Sequence, residues 1–172
     1  MGRSLNSTII CNDISSNQGD GLTVVASSEN DTISYNQISG NVKYGLNITA
    51  GSCRFRVHHN NFIDNNGAGT VRDLAHVQAC DTNGTNFWND ASEGNYWSDW
   101  TSPDNDPPVG IVDSPYLLDG GKGANDSFPL TDPVINTGPQ VPDIPIPAPL
   151  IIVCILLLTA IVVRRRKRSQ PC

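Results

Sequence analysis

The sequence predicts an all-β protein, a parallel β-helix of about 2.5–3 coils of 24 residues closed by an aromatic segment. Three observations carry this. Residues 6–29 laid over residues 30–53 without a gap are identical at eleven of twenty-four positions. Within each copy, short alternating apolar stretches such as Ile9-x-x-Asn12-x-Ile14 are separated by Asn, Ser and Gly, the pattern of brief strands between tight turns. The composition is that of a turn-former: 18 Asn, 15 Gly and 12 Pro, against two Glu and three Lys. That excludes a helical bundle.

The repeat assigns the coil its parts. A third copy begins at Arg54 and keeps Val57, Asn60, Phe62, Asn65 and Gly69. Stacked in register, Ile9/Ile33/Val57, Ile14/Ile38/Phe62 and Leu22/Leu46 fill the interior. Asn12/Asn36/Asn60 form one amide ladder at a turn and Asn17/Asn41/Asn65 a second, since stacked carboxamides bond along the axis and Asn tolerates a left-handed turn. Gly21/Gly45/Gly69 mark a third corner. A solenoid this short exposes an apolar end, and Met1 stands just before a strand, so the chain reads as the terminal portion of a longer helix.

After residue 80 the composition changes. All three Trp fall within thirteen residues, in Asn86-Phe87-Trp88-Asn89 and Gly94-Asn95-Tyr96-Trp97-Ser98-Asp99-Trp100. Pro103-Asp104-Asn105-Asp106, Gly110-Ile111-Val112-Asp113, Ser114-Pro115-Tyr116 and Phe128-Pro129-Leu130 follow in order. This series resembles the C-terminal end of NosD-like right-handed β-helix proteins, many of them archaeal surface proteins with membrane-anchored ends. The resemblance, with the repeats, covers roughly residues 6–132. It implies a right-handed winding and a terminal cap, for which Phe87, Trp88, Tyr96, Trp97, Trp100 and Tyr116 offer large flat surfaces. It also brings an association with copper.

The residues themselves argue against copper. His58-His59 is the only adjacent pair, and neighbouring side chains of a strand point to opposite faces. Calcium is the better-placed ion: Asp104, Asp106 and Asp113 have the spacing of an acidic calcium loop, although Pro107-Pro108 stands where the family has glycine. Cys11, Cys53 and Cys80 contain no CxxC; Cys53–Cys80 is the candidate bridge. No carboxylate column forms in the repeat register, so the chain reads as non-catalytic. Five sequons place glycan candidates at Asn6, Asn30, Asn47, Asn83 and Asn125.

Charge orders the remainder. Arg164, Arg165, Arg166, Lys167 and Arg168 hold five of the eleven basic residues. Without them seventeen acidic residues face six basic ones, a balance that excludes a nucleic-acid partner. Leu150–Val163 is wholly uncharged, and with 144–149 the uncharged run is 20 residues, enough to span a bilayer. The basic cluster behind it stays cytoplasmic. The expected division is 1–80 coils, 81–132 cap segment, 133–147 Pro-rich linker, 148–163 transmembrane helix and 164–172 basic tail. The expected role is a surface-displayed, membrane-anchored binding or structural protein. Its expected partners are the membrane and cell-surface glycans or surface-layer proteins. The alternatives are the non-catalytic end of a carbohydrate-active lyase or hydrolase, and a NosD-type copper-handling accessory protein.

Overall fold

The computed structural model describes residues 4–25, 27–49 and 51–135, which fall in one compact unit. The expected transmembrane helix, the basic tail and most of the linker lie outside the described residues. Among the described residues no helix is long and apolar enough to cross a membrane.

The described chain is all-β, and its main sheets are parallel. Three coils each contribute three short strands: β1 (Thr8–Ile10), β2 (Asp13–Ser15) and β3 (Leu22–Val24); β4 (Thr32–Ser34), β5 (Gln37–Ser39) and β6 (Leu46–Ile48); β7 (Arg56–His58), β8 (Asn61–Ile63) and β9 (Ala79–Asp81). Like strands pair across coils, giving the sheets β1-β4-β7, β2-β5-β8 and β3-β6-β9. Thr8 pairs with Thr32, Asp13 with Gln37 and Leu22 with Leu46, so the register is the 24-residue repeat read from the sequence. The interior columns are also the expected ones. Ile33, Ile38, Leu46, Val57 and Phe62 are fully buried, whereas Ile9, Ile14 and Leu22 in the first coil are half-buried because no described coil covers them.

Both amide ladders form, with a polarity. The Asn36 side-chain oxygen accepts from the backbone N–H and the side-chain amide of Asn12 at 2.9 and 3.0 Å; Asn60 does the same for Asn36. Asn41 likewise serves Asn17, and Asn65 serves Asn41. Every rung therefore accepts from the preceding coil and donates to the next. At these two turns the ladder asparagines are not the left-handed residues, contrary to expectation. Those are the residues just before Asn12, Asn36 and Asn60, namely Cys11, Tyr35 and His59 (φ 55–57°), and just before Asn17, Asn41 and Asn65, namely Ser16, Gly40 and Asp64. The corner turns first, and the Asn that follows is left free to ladder.

The expected third glycine corner is also corrected. Gly21 and Gly45 are required because a Cβ there would press on the Asn41 and Asn65 amides. In the third coil Gln78, not Gly69, takes that place, since Leu46 pairs with Ala79 after an inserted loop. Its Oε1 accepts from Asn65 N and Nδ2, each at 3.1 Å, so a longer amide continues the ladder where the glycine gave clearance.

The segment 81–132 adds a fourth, interrupted rung. Phe87 bridges Arg56, β10 (Tyr96–Trp97) pairs with β8, and Asp119 bridges Cys80. Trp97 stacks on Phe62 with centroids 4.3 Å apart, and Tyr116 stacks on Trp97 at 3.9 Å. These rings and Trp88 are buried to within 2 % of full, each contributing roughly 1.5–3 kcal/mol or more. β11 (Tyr116–Leu117) and β12 (Asn125–Asp126) form an antiparallel pair across the end.

Carboxylates finish the ladders. Asn95 is the fourth rung of the first and meets Asp126, whose Oδ2 accepts from Asn95 N, Asn95 Nδ2 and Trp97 Nε1. Gln78 ends the second by donating to Asp99 at 2.6 Å. A chain of groups that each accept and donate ends on an acceptor, which a carboxyl oxygen supplies. Asp81 is a third buried carboxylate, accepting from Asn83 N, Gly84 N, Asn86 Nδ2 and Trp88 Nε1.

Candidate metal centre

The corner column Cys11/Tyr35/His59 creates the site. β7 ends at His58, and His59 takes the left-handed conformation at φ 55°. The alternation that would send the two side chains to opposite faces therefore stops between them. Their Nδ1 atoms stand 2.7 Å apart, with ring planes crossed at 82°. The expectation that the pair is divided between two faces is thus overturned, because its second member is a turn residue and not a strand residue.

Neighbouring coils hold the pair. Tyr35, one coil away in the same column, stacks on His59 at 5.0 Å and 12°. The His59 N–H donates to Gly94 O at 2.6 Å. The loop before β10 then brings two carboxylates over the rings. Glu93 Oε2 lies 2.7 Å from His59 Nε2, and Asp90 Oδ2 lies 3.9 Å from His59 Nδ1. Asp90 is aimed by a local turn in which its Oδ1 accepts from the backbone N–H groups of Ser92 and Glu93.

The electrostatics suit ligation. Partial burial, then the neighbouring His59 and Arg56, push His58 below its ordinary imidazole value against the opposing pull of Asp90, which favours the neutral form that binds metals. Partial burial raises Asp90, but the N–H groups of Glu93 and Ser92, the Ser92 hydroxyl and His59 together hold its carboxyl below the usual range. Two nitrogens 2.7 Å apart must share one proton. A cation that takes that proton's place finds two imidazole nitrogens and a carboxylate oxygen around it.

His58, His59 and Asp90 each offer one ligand atom, all within 4.8 Å of one another; no other such group of three or more occurs among the described residues. Two nitrogens about 2.0 Å from one cation and cis to each other stand about 2.8 Å apart, close to the spacing here. Imidazole and carboxylate donors without sulfur suit Cu(II), Ni(II) or Zn(II), and copper in its divalent form fits the set.

The other sequence candidates are placed apart. Asp113 accepts from the backbone N–H groups of Asn105 and Asp106, and Asp104 Oδ2 accepts from Gly110 N. Asp104 Oδ1 is buried without a hydrogen-bond partner. Asn6 and Asn30 are exposed, while Asn47, Asn83 and Asn125 are half-buried. The Asn47 amide donates to Asp20 and that of Asn83 to Ser52 O. Cys11, Cys53 and Cys80 are free thiols, so the Cys53–Cys80 bridge is not formed. Burial pushes the Cys80 thiol up to about 11. His76 pairs with Asp73 at 2.8 Å, away from the histidine pair.

Asp90 and Glu93 are not among the residues the sequence singles out, yet for Glu93 a signal exists. Asn95 occupies the ladder position of Asn60. Counting back one and two residues from each sets Gly94 over His59 and Glu93 over His58.

A family model described as "Periplasmic copper-binding protein (NosD)" matches residues 1–102. No curated protein and no solved structure matches the chain. The matched stretch contains all three coils, the histidine pair, the loop with Asp90 and Glu93, and β10, and it shows that the chain belongs to the NosD family.

Proposed function

We propose that this chain is an exported β-helix protein, wound right-handed, that binds divalent copper through His58, His59 and Asp90. The observation that carries the reading is the 2.7 Å approach of the two Nδ1 atoms with a carboxylate beside them. Bound copper supplies a Lewis-acidic, redox-active ion. The protein's own part is to hold two crossed imidazoles at chelating distance on a rigid corner, to give up the proton between them, and to add one negative charge from Asp90. The family's periplasmic description supports export, and the apolar run with its basic end supports display from a membrane.

Titrating the purified full chain with Cu(II), followed by electron paramagnetic resonance, tests the reading. One copper per chain with coupling to two nitrogens is expected, and it should vanish in His58→Ala and His59→Ala. Equal binding by both variants would place the copper elsewhere.

A second reading, display toward cell-surface glycans, draws support from exposed Asp13 and half-buried Gln37 and Tyr96 on one outward column, whose fourth member, Asn61, is covered by Val134. Binding of the full chain to a glycan array tests it, and no retention on any glycan would remove it.

A further inference from the structure

We infer that Glu93 is a positioning residue that fixes the tautomer of His59 and thereby makes its Nδ1 the metal-binding atom; this rests on the copper reading above. Glu93 Oε2 is 2.7 Å from His59 Nε2. A carboxyl oxygen accepts, so the 2.7 Å contact places the proton on Nε2. In the neutral ring Nδ1 then carries the lone pair, and it faces His58 Nδ1, whose proton fills the 2.7 Å gap. A proton on His59 Nδ1 instead would put the ligating lone pair on Nε2, on the far side of the ring from His58 and Asp90. Outer carboxylates that hold a ligating histidine act in this way, and losing one typically weakens metal binding 10–100-fold.

The geometry separates this role from a structural one. The loop is shaped by main-chain bonds: Asp90 N donates to Glu93 O, and Glu93 N donates to Asp90 Oδ1. Neither uses the Glu93 side chain. That side chain is 53 % exposed, so its pairing with His59 adds little to folding stability. Tyr35 holds the plane of the His59 ring by stacking but cannot choose between its nitrogens. Glu93 makes that choice.

The experiment compares the full chain with Glu93→Ala and Glu93→Gln. Nitrogen-15 NMR of the metal-free proteins reads the His59 tautomer, and competition against a chelator reads Cu(II) affinity. The parent should show the Nε2–H form alone. Glu93→Ala should mix the two forms and lose 10–100-fold in affinity without a change in the unfolding transition. Glu93→Gln keeps an acceptor oxygen and should restore the Nε2–H form, with an affinity loss below about tenfold. An unchanged tautomer and affinity in Glu93→Ala would overturn the inference and leave the copper site standing. Failure of the parent to bind Cu(II) would overturn the proposed function. The tautomer measurement then still decides whether Glu93 sets the ring: a mixed tautomer in Glu93→Ala supports it, and an unchanged one overturns it.

Discussion

Replacing Asp126 by Ala should cost the protein about 3–5 kcal/mol of folding stability. Asp126 is fully buried, and its Oδ2 accepts from Asn95 N at 2.7 Å, Asn95 Nδ2 at 3.2 Å and Trp97 Nε1 at 3.0 Å, while Oδ1 accepts from Phe128 N at 3.1 Å. The Asn95 amide keeps the carbonyls of Val57 and Trp88 when the carboxylate is gone. Three donors are left without partners: Asn95 N, Trp97 Nε1 and Phe128 N. Each buried orphan costs about 1–3 kcal/mol, and removing a buried charge returns part of the sum. Asn at 126 keeps an oxygen for the Oδ2 donors and loses only the bond to Phe128, so it should fall within about 1–2 kcal/mol of the parent. Urea unfolding followed by tryptophan fluorescence reads these differences, because Trp97 touches the substituted group. Exposed Asp13→Asn serves as the control and should stay within about 0.5 kcal/mol. An Ala variant within about 1 kcal/mol of the parent would refute the view that a carboxylate terminates the ladder.

Gly94→Ala should be destabilising to a similar degree, because its Cβ would run into the Asp126 carboxylate; the same urea titration checks it. A pH dependence follows from the same group. Burial, against its N–H donors, pushes Asp126 up to about 6, above its unfolded value near 4, so between those values the folded state holds more protons. Stability should therefore be greater near pH 4 and decline as pH rises through about 6, by up to about 3 kcal/mol, and Asp126→Asn should flatten the curve. Asp73, Asp90 and Asp113 are held below their ordinary value, so their losses fall at lower pH, while His58, also held below its own, adds a rise of opposite sign toward pH 6.5; the difference between the parent and Asp126→Asn isolates the Asp126 part.

The coil was legible because its period is local and repeated. Thr8 opposite Thr32, Ile14 opposite Ile38 and both amide ladders follow from a gapless alignment. What was misjudged lies where the period breaks. Beside His58, His59 reads as a strand residue, although Tyr35 and Cys11 share its corner. Gly69 reads as the third corner glycine, a place that the inserted loop gives to Gln78. The cap's aspartates meet their partners at separations of 21 and 31 residues, Gln78 to Asp99 and Asn95 to Asp126, which no repeat announces. Burial decided those pairings, because an amide ladder running into an apolar cap must find an acceptor there.

The one-way run of the amide ladders makes length and closure independent properties of this architecture. Each rung presents to the next the same face that it received, so a 24-residue unit can be duplicated or deleted in the middle of the stack without altering either boundary. The closing residues, Asp99 and Asp126 under the aromatic rings, meet an identical amide however many units stand before them. A lineage built this way can change the distance over which it holds its histidine corner by whole steps of about 4.8 Å, without redesigning the end that keeps it folded.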